Sequence, residues 1–319
     1  MRRRALLALP SALALMGAGP VERILRTESG LEGVLLSPWT DAPLVLIIPG
    51  SGPTDRDGNN PLGVRAASYR LLAEGLAARG IASLRIDKRG MFGSRAAVAD
   101  PNAVTIDDYV LDLHAWRAAL RREGFIQSPW LLGHSEGGLV GLAAVNAGVE
   151  VSGLLLLCTS GQRWGALIRA QIAANPANAP LLPQVDSMLA GLEAGRRMSV
   201  EGLHPGLLPL FAPVIQGFLI SVMALDPAAL MAGWDGPTLI VQGGQDLQVS
   251  LEDAALLKSG RPEAQIRLLP SMNHVLKDVP PNNPAANLAA YANPSLPLAS
   301  GLIAVIEDRL LTPSAPVRR

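Results

Sequence analysis

One short motif holds a serine in a setting suited to nucleophilic chemistry. The sequence Gly-His-Ser-Glu-Gly at 133–137 follows the apolar segment Trp130–Leu132 and precedes a helical pattern that continues to about Ala147. A serine between glycines at a strand-to-helix turn projects its hydroxyl above the sheet, beside a helix N-terminus that favours developing negative charge. This context favours Ser135 as a nucleophile over a serine that only caps the helix.

A serine hydroxyl becomes a strong nucleophile only when a neighbouring base accepts its proton. The chain has four histidines, and in proteins with this type of turn the acid and then the base follow the serine. His114 precedes the serine, His134 adjoins it and is predicted to point away from its pocket, and His204 falls in a region without regular pattern. His274, in a loop after the strand-like segment Gln265–Leu269, is the predicted base.

The base needs a carboxylate that orients its ring and stabilises its charged form. Asp246 follows the apolar segment Thr238–Val241 across a glycine-containing turn, which places it at the carboxyl edge of a sheet. Asp226 and Asp235 are weaker candidates because neither ends a strand. Asp246 is therefore the predicted acid.

Acyl transfer also needs two N–H donors for the oxyanion that forms on the substrate. One predicted donor is the amide of the residue after the serine, Glu136. The second is predicted to be Ser51 or Gly52, because the loop Gly50–Pro53 follows the apolar segment Leu44–Ile48 and its glycines allow a close backbone approach.

The elements that would position these residues alternate between strand and helix patterns. Two short strands, at 21–27 and 31–36, form a predicted hairpin. The later strand segments are Leu44–Ile48, Ile81–Ile86, Trp130–Leu132, Val151–Leu157, Thr238–Val241 and Gln265–Leu269, and helical spacing covers about 69–77, 109–120 and 137–147. Such alternation predicts an α/β fold with a mostly parallel sheet covered by helices on both faces.

The alternation is interrupted at 161–234, where prolines cluster among helical fragments. An insertion at the carboxyl ends of parallel strands lies over the ligand crevice, so this region is predicted to be a helical cap. Within it, 207–225 is apolar enough for a membrane helix by hydropathy alone, but Pro209 and Pro213 would break such a helix. We expect a cap helix lining an acyl pocket and no membrane span in the mature domain.

The chain is therefore divided into a leader and one core with an inserted cap. Residues 1–20 form a predicted signal peptide or N-terminal anchor, because three arginines precede an apolar stretch too short for a comfortable membrane span. Residues 21–160 and 235–319 form the two parts of the core, on either side of the cap at 161–234. The leader predicts an exported protein, periplasmic or secreted.

Composition excludes several classes of protein. Lys plus Arg, 27, equals Asp plus Glu, 27, so the chain has no charge excess that would attract nucleic acid. The single cysteine, Cys158, permits neither an intramolecular disulfide nor a thiolate metal cage, and we expect it to be a buried strand residue. The predicted chemistry needs no metal or cofactor, and the expected partner is a small-molecule ester. The sequence does not indicate an oligomeric state.

Five motifs in order resemble those of a bacterial esterase family of the α/β-hydrolase superfamily. They are GSGPTDRDGN at 50–59, LRIDKRG at 84–90, GHSEGG at 133–138, QGGQDLQV at 242–249 and NHVLK at 273–277. The resemblance covers about 44–277 outside the cap. It implies an α/β-hydrolase fold, a triad of Ser135, Asp246 and His274, and hydrolysis of carboxylic esters.

Two features depart from the pattern of that family. Pro49 replaces the usual histidine before the oxyanion glycine, and the second glycine of the family's DKRGxGxS pattern has moved one place along. Phe92 is therefore a candidate substrate contact at the pocket rim, with a packed loop aromatic as the alternative. The charged residues at 55–57 and 87–89 are expected to brace the oxyanion loop rather than to bind substrate.

The predicted function is hydrolysis of esters with small to medium acyl chains through an acyl-enzyme intermediate. The cap is apolar, and only Asp186, Glu193 and Glu201 are obvious candidates there for holding a peptide N-terminus. The alternatives are an aminopeptidase or amidase, a thioesterase with the same triad and, more remotely, a non-catalytic binding protein with a hydrolase fold.

Overall fold

A computed structural model describes residues 19–312, so the predicted leader lies outside the described residues up to residue 18. The strands are β1 (Val21–Arg26), β2 (Glu32–Ser37), β3 (Leu44–Ile48), β4 (Asn59–Asn60), β5 (Val64–Arg65), β6 (Ala82–Ile86), β7 (Trp130–His134), β8 (Gly153–Leu157), β9 (Thr238–Gly243) and β10 (Gln265–Leu269). The helices are α1 (Ser68–Ala77), α2 (Ile106–Arg122), α3 (Glu136–Asn146), α4 (Trp164–Ala173), α5 (Leu182–Glu193), α6 (Leu208–Phe211), α7 (Gln216–Met223), α8 (Pro227–Ala232), α9 (Leu251–Gly260), α10 (Pro284–Ala290) and α11 (Leu302–Leu311).

Eight strands form one sheet in the order β1-β2-β6-β3-β7-β8-β9-β10. β2 pairs antiparallel with β1 and β6, and the remaining pairs in this sheet are parallel. The short strands β4 and β5 form a separate hairpin after β3. The predicted α/β fold with a mostly parallel sheet is confirmed, and the loops after β3, β7, β8 and β9 meet at its carboxyl edge.

Apolar side chains fill both faces of the sheet. Leu46 of β3 belongs to a cluster with Trp116 of α2 and Leu142 of α3. Its neighbours Val45 and Ile47 belong to a second cluster, packed against α1 and α11. Because helices cover both faces, the central strands are buried along their whole length, which explains why they are continuous apolar runs.

Five helices, α4 to α8, connect β8 to β9 in the region predicted to be the cap, and we call them the cap helices. They pack on the cluster that also holds α2 and α3. The stretch Pro205–Met223 is long and apolar enough to cross a membrane by length and composition, with 33% of it buried. In the structure this stretch is divided into α6 and α7, with residues 212–215, including Pro213, between them.

Two helices follow the predicted base in the chain and are not predicted by the sequence pattern. α10 begins at a proline after a proline-rich loop, and α11 follows a second irregular segment. Leu302 and Ile306 of α11 are buried in the second apolar cluster. α11 thus covers the face of the sheet that α1 alone leaves incomplete.

Asp253 anchors the chain where it leaves the sheet for the cap helices. Its side chain is buried, and one carboxylate oxygen accepts hydrogen bonds from the Ser160 hydroxyl at 2.6 Å and from the amides of Gly161 at 3.1 Å and Gln162 at 3.2 Å. The other oxygen accepts from the Ser250 amide at 2.9 Å, in a capping box at the start of α9. One carboxylate therefore joins the base of the cap to the core.

We predict that Asp253→Asn lowers the free energy of unfolding by about 2–3 kcal/mol, because an NH₂ group replaces one acceptor oxygen and faces N–H and O–H donors. Asp235→Asn, at an exposed position before β9, should change it by less than about 0.5 kcal/mol. Urea unfolding followed by circular dichroism measures both. Equal stability of the two variants would contradict the anchoring role.

Candidate active site

Ser135 stands at the sharp turn between β7 and α3. Its φ of 53° and ψ of −120° are a conformation that costs a non-glycine residue roughly 1–3 kcal/mol. The Ser135 amide donates a hydrogen bond to the Leu157 carbonyl at 2.9 Å, which holds the turn against β8. A Cβ at Gly137 would collide with the carbonyl oxygens of Ile48 and Pro49, so the turn also requires glycine there.

The predicted base and the predicted acid lie in contact. His274 Nδ1 is 2.8 Å from Asp246 Oδ2, and both side chains are almost entirely buried. Asp246 Oδ1 accepts hydrogen bonds from the amides of Gln248 at 2.7 Å and Val249 at 3.0 Å. Burial opposes the charged carboxylate, but His274 and these amides outweigh it and lower the pKa of Asp246. Asp246 is therefore held ionised against the imidazole.

Ser135 and His274 line the same pocket, of about 170 Å³, which we call the polar pocket. It lies at the carboxyl edge of the sheet, between the loop after β3 and the segment around Tyr291. The remaining polar side chains in its wall are hydroxyls and amides, with one more imidazole: Ser51, Thr54, Asn60, Ser68, Tyr69, His134, Gln248 and Tyr291. The structure thus brings the three residues of the predicted triad to one place.

His134 lies in the wall of this pocket, and the prediction that it points away is wrong. Its Nε2 is 2.8 Å from the backbone carbonyl of His274, and its Nδ1 is 2.7 Å from the Tyr69 hydroxyl. A carbonyl only accepts, so Nε2 carries the proton and Nδ1 accepts from Tyr69. The Tyr69 oxygen in turn accepts from the Gly50 amide at 3.0 Å.

This chain of hydrogen bonds joins the loop after β3, α1, the serine turn and the loop of the predicted base. Burial lowers the pKa of His134 to about 3, so its imidazole is neutral at ordinary pH, in agreement with the tautomer. Tyr69 and His134 were not predicted as site residues, because helical spacing and adjacency to a serine do not indicate what a side chain meets across the sheet edge.

The predicted oxyanion donors lie beside a second and larger space. Ser51, Gly52 and Glu136 line a cavity of about 430 Å³ under the cap helices, which we call the cap cavity, and Ser51 also lines the polar pocket. Within residues 19–312, the main-chain hydrogen bonds include none from the amides of Ser51, Gly52 or Glu136. These N–H groups are available to a ligand.

The cap cavity is mainly apolar. Glu136 is the one carboxylate among the described residues that line either the cap cavity or the polar pocket. The apolar side chains come from α4, α6, α7 and the loops above β6: Met91, Val104, Trp164, Ile168, Leu210, Ile215, Phe218 and Leu219.

Phe92, the candidate rim residue, does not line either space, whereas its neighbour Met91 does. Phe92 is 40% exposed and has a φ of 45°, at the position where the family's pattern has glycine. The unusual backbone turns its ring toward solvent. Its role as a substrate contact therefore has no support from the arrangement of the site.

Two other histidines and one of the weaker aspartate candidates of the sequence analysis lie elsewhere in the fold. His114 is exposed on α2, and His204 Nδ1 accepts from the Gly206 amide at 3.1 Å within a turn. Asp226 caps α8 and pairs with Arg163 at 3.0 Å. None of these three residues lines the polar pocket or the cap cavity, whereas His274 lines the pocket with Ser135 and contacts Asp246.

The charged segments 55–57 and 87–89, expected to brace the oxyanion loop, contact each other through one pair, Arg56 and Asp87. Arg56 donates to Asp87 from its backbone amide and from Nε, each at 2.9 Å. Asp57 instead pairs with Arg85, and Arg89 with Asp112. The Arg56–Asp87 contacts brace the loop after β3 against the end of β6.

Three potential metal ligands, on His134, Cys158 and His274, lie within 4.8 Å of one another. Hydrogen bonds already use both nitrogens of His134 and Nδ1 of His274. Burial and the neighbouring Asp246 carboxylate raise the pKa of the Cys158 thiol, which disfavours the thiolate. The donor set therefore fits a hydrogen-bonded protein site better than a metal centre.

Comparison with known proteins identifies the family of the chain. Residues 44–290 match the model of the alpha/beta hydrolase family, so the chain belongs to that family and the resemblance seen in the sequence is confirmed. The matched range contains the serine turn, the cap helices and the loops of the predicted acid and base.

Individual relatives include esterases. The chain is 26% identical over 260 residues to esterase EstD of Thermotoga maritima, covering 78% of this chain and 59% of that protein's length. Among solved structures, Est1E from Butyrivibrio proteoclasticus is 16% identical with a TM-score of 0.53, covering 91% of this chain and 95% of that one. Esterase Pf2001 from Pyrococcus furiosus is 14% identical with a TM-score of 0.53, covering 91% of each chain. The two structures share the fold with this chain.

We predict that His134 makes the protein sensitive to acid. The pKa of histidine is about 6.5 in the unfolded chain but about 3 at His134 in the folded protein, so between these pH values the unfolded state binds the extra proton. The contribution of His134 to stability is complete above pH 6.5. It is lost, by about 1.4 kcal/mol per pH unit, as the pH falls toward 3.

Urea unfolding of the wild type, His134→Gln and the exposed control His114→Gln at pH 7 and pH 4.5 measures this effect. The stability of His134→Gln should fall less with acid than that of the wild type, and His114→Gln should follow the wild type. The same pH dependence in all three proteins would refute the prediction.

Proposed function

We propose that the protein hydrolyses carboxylic esters through an acyl-enzyme intermediate on Ser135. The observation that carries this proposal is the 2.8 Å hydrogen bond between His274 and a buried Asp246, with His274 and Ser135 in one pocket. The family of the chain and its esterase relatives support ester substrates.

In the proposed reaction, Ser135 Oγ attacks the ester carbonyl while His274 Nε2 accepts the serine proton. Asp246 keeps the proton on Nδ1 of His274 and stabilises the imidazolium. The amides of Glu136 and Ser51 donate to the oxyanion. We favour Ser51 over Gly52 because Ser51 lies where the polar pocket and the cap cavity meet. His274 then protonates the leaving alcohol. In the second half of the reaction, water attacks the acyl-enzyme carbonyl while His274 accepts its proton, and the carboxylic acid and free Ser135 are released.

This mechanism assigns the two spaces to the two halves of the ester. The leaving alcohol must lie beside His274, which protonates it, and His274 lines the polar pocket. The acyl group is then left with the apolar cap cavity, next to the oxyanion amides. We therefore propose small to medium acyl chains under the cap and a polar, uncharged alcohol in the polar pocket.

An aminopeptidase fits the two spaces less well, because the substrate's ammonium group needs a free carboxylate. Glu136 faces Lys88 at 3.5 Å, and Asp186 of the cap pairs with Arg169 at 2.7 Å outside both spaces. We therefore expect the protein to turn over p-nitrophenyl esters faster than amino-acyl anilides. Faster anilide turnover would exclude the esterase in favour of the peptidase.

We predict that Ser135→Ala lowers kcat for p-nitrophenyl butyrate by on the order of 10⁶-fold and removes labelling by a fluorophosphonate probe. Ser259→Ala, which removes a hydroxyl from the exposed side of α9, should keep both. Labelling followed by mass spectrometry, together with steady-state kinetics, measures the two outcomes. Equal labelling of Ser135→Ala and wild type would rule out Ser135 as the nucleophile.

We predict that Leu210→Trp shortens the preferred acyl chain, because Leu210 lines the cap cavity and an indole there occupies the space of a long chain. kcat/KM for p-nitrophenyl octanoate should fall about 10-fold or more, and the value for the acetate should change less than about 3-fold. Leu208→Trp is the matched control, because Leu208 lies on the same short helix, is 39% exposed and does not line the cavity. An unchanged octanoate-to-acetate ratio in Leu210→Trp would place the acyl group elsewhere.

A further inference from the structure

Lys88 is a buried lysine that has no role in the proposed acyl-transfer steps. It follows β6, in the motif LRIDKRG, and its side chain is 5% exposed. Nζ donates a hydrogen bond to the Gly50 carbonyl at 2.8 Å and lies 3.5 Å from Glu136 Oε1. A buried ammonium is costly unless it is paired and hydrogen-bonded, and these two contacts, with the Tyr109 ring centroid 5.8 Å from Nζ, stabilise Lys88.

The first contact fixes a peptide group. The Gly50 carbonyl and the Ser51 N–H belong to one planar trans peptide, in which the two groups point in opposite directions. A donor that holds the carbonyl oxygen therefore also fixes the direction of the Ser51 N–H. A cation on the oxygen polarises the peptide as well and makes its N–H a stronger donor.

The second contact reaches the other predicted donor. Glu136 supplies its amide at the start of α3, while its side chain is 2% exposed and turned toward Lys88. Glu136 Oε1 has no hydrogen-bond partner among residues 19–312, so the ion pair with Lys88 is its main polar interaction. Burial raises the pKa of Glu136 and lowers that of Lys88, and each is opposed by the charge of the other.

We propose that Lys88 is a positioning residue of the oxyanion hole: it orients and polarises the Gly50–Ser51 peptide, with Glu136 as its counter-ion. The proposal rests on the proposed function, in which the amides of Ser51 and Glu136 stabilise the oxyanion. It assigns a role to two motif residues, one in LRIDKRG and one in GHSEGG, that the triad does not use.

A role in stability alone explains the arrangement less well. The loop after β3 is already held by the contacts of Arg56 with Asp87 and by the bond from Gly50 to Tyr69. A buried ion pair is often no more stabilising than apolar residues of the same volume. The pair instead contacts both predicted donor groups indirectly, through the Gly50 carbonyl of one peptide and through the side chain of Glu136.

The test compares Lys88→Met, the double variant Lys88→Met/Glu136→Gln, and Lys258→Met. The double variant removes both charges, so it leaves no unpaired buried ion. Lys258 is the matched control, because it also donates to main-chain carbonyls, of Pro262 and Ala264 at 2.7 Å, but on α9 away from the site. Thermal unfolding of each variant identifies any loss of folding.

With p-nitrophenyl butyrate, we expect the double variant to lose about 10- to 100-fold in kcat with KM within about 3-fold of wild type, a smaller loss than removal of a donor itself. Lys258→Met should keep the wild-type kcat. A trifluoromethyl ketone, whose carbonyl carbon the serine attacks to form a hemiketal oxyanion, should bind about 10- to 100-fold more weakly to the double variant than to the wild type. The matching trifluoromethyl alcohol, which forms no adduct, should bind to the double variant as tightly as to the wild type.

The role of Lys88 would be overturned if the folded double variant kept the kcat and the ketone affinity of the wild type. The proposed function would survive that result, provided that the wild type hydrolyses esters. Equal weakening of the ketone and the alcohol would also overturn the role of Lys88, because the loss would then lie in the cavity rather than at the oxyanion. Failure of the proposed function is distinct: the wild type itself would not hydrolyse esters, and both proposals would fall.

Discussion

The backbone of Ser135 is the constraint on which the rest of the site depends. A positive φ between a buried strand and a helix brings α3 so close to β3 that the Ile48 and Pro49 carbonyls leave no room for a side chain at Gly137. This close approach places the loop after β3 beside the serine. Pairing of the strands β3, β7 and β8 offsets the cost of the turn. The position of Ser135 in the pocket wall and the free amides beside it are thus consequences of one local geometry.

Hydrogen bonds then keep the surrounding loops from adjusting independently. Gly50, Tyr69, His134 and the His274 carbonyl form a buried chain in which each donor has one acceptor, and the neutral state of His134 is required for it. A site built in this way has its hydrogen-bond donors in place before substrate arrives. Water molecules must reorient around a developing charge, and preorganised donors avoid that cost. The acid end is fixed in the same manner, by the amides that hold Asp246.

The sequence was sufficient for the strands of the eight-stranded sheet and for the three residues of the predicted triad, which the structure brings together. Continuous apolar runs identify strands that are buried on both faces, and chain order leaves His274 as the one histidine after the last core strand. What pattern cannot supply is non-local: the direction of His134 depends on the loop of His274, 140 positions along the chain. Phe92 lines neither space, and it stands where the family's pattern has glycine, with a φ of 45°.

The charges near Ser135 are distributed in a way that follows from the chemistry proposed. In the proposed reaction the acyl group under the cap lies against apolar walls and one ion pair, that of Lys88 with Glu136, whose charges sum to zero. The oxyanion of that reaction accepts from the Ser51 amide, and Lys88 donates to the carbonyl of the same peptide. In a space with little water such directional interactions are stronger than in solvent. If the Lys88–Glu136 pair interacts weakly with the uncharged substrate, it can still stabilise the charged transition state. An interaction that is stronger in the transition state than in the bound substrate accelerates the reaction.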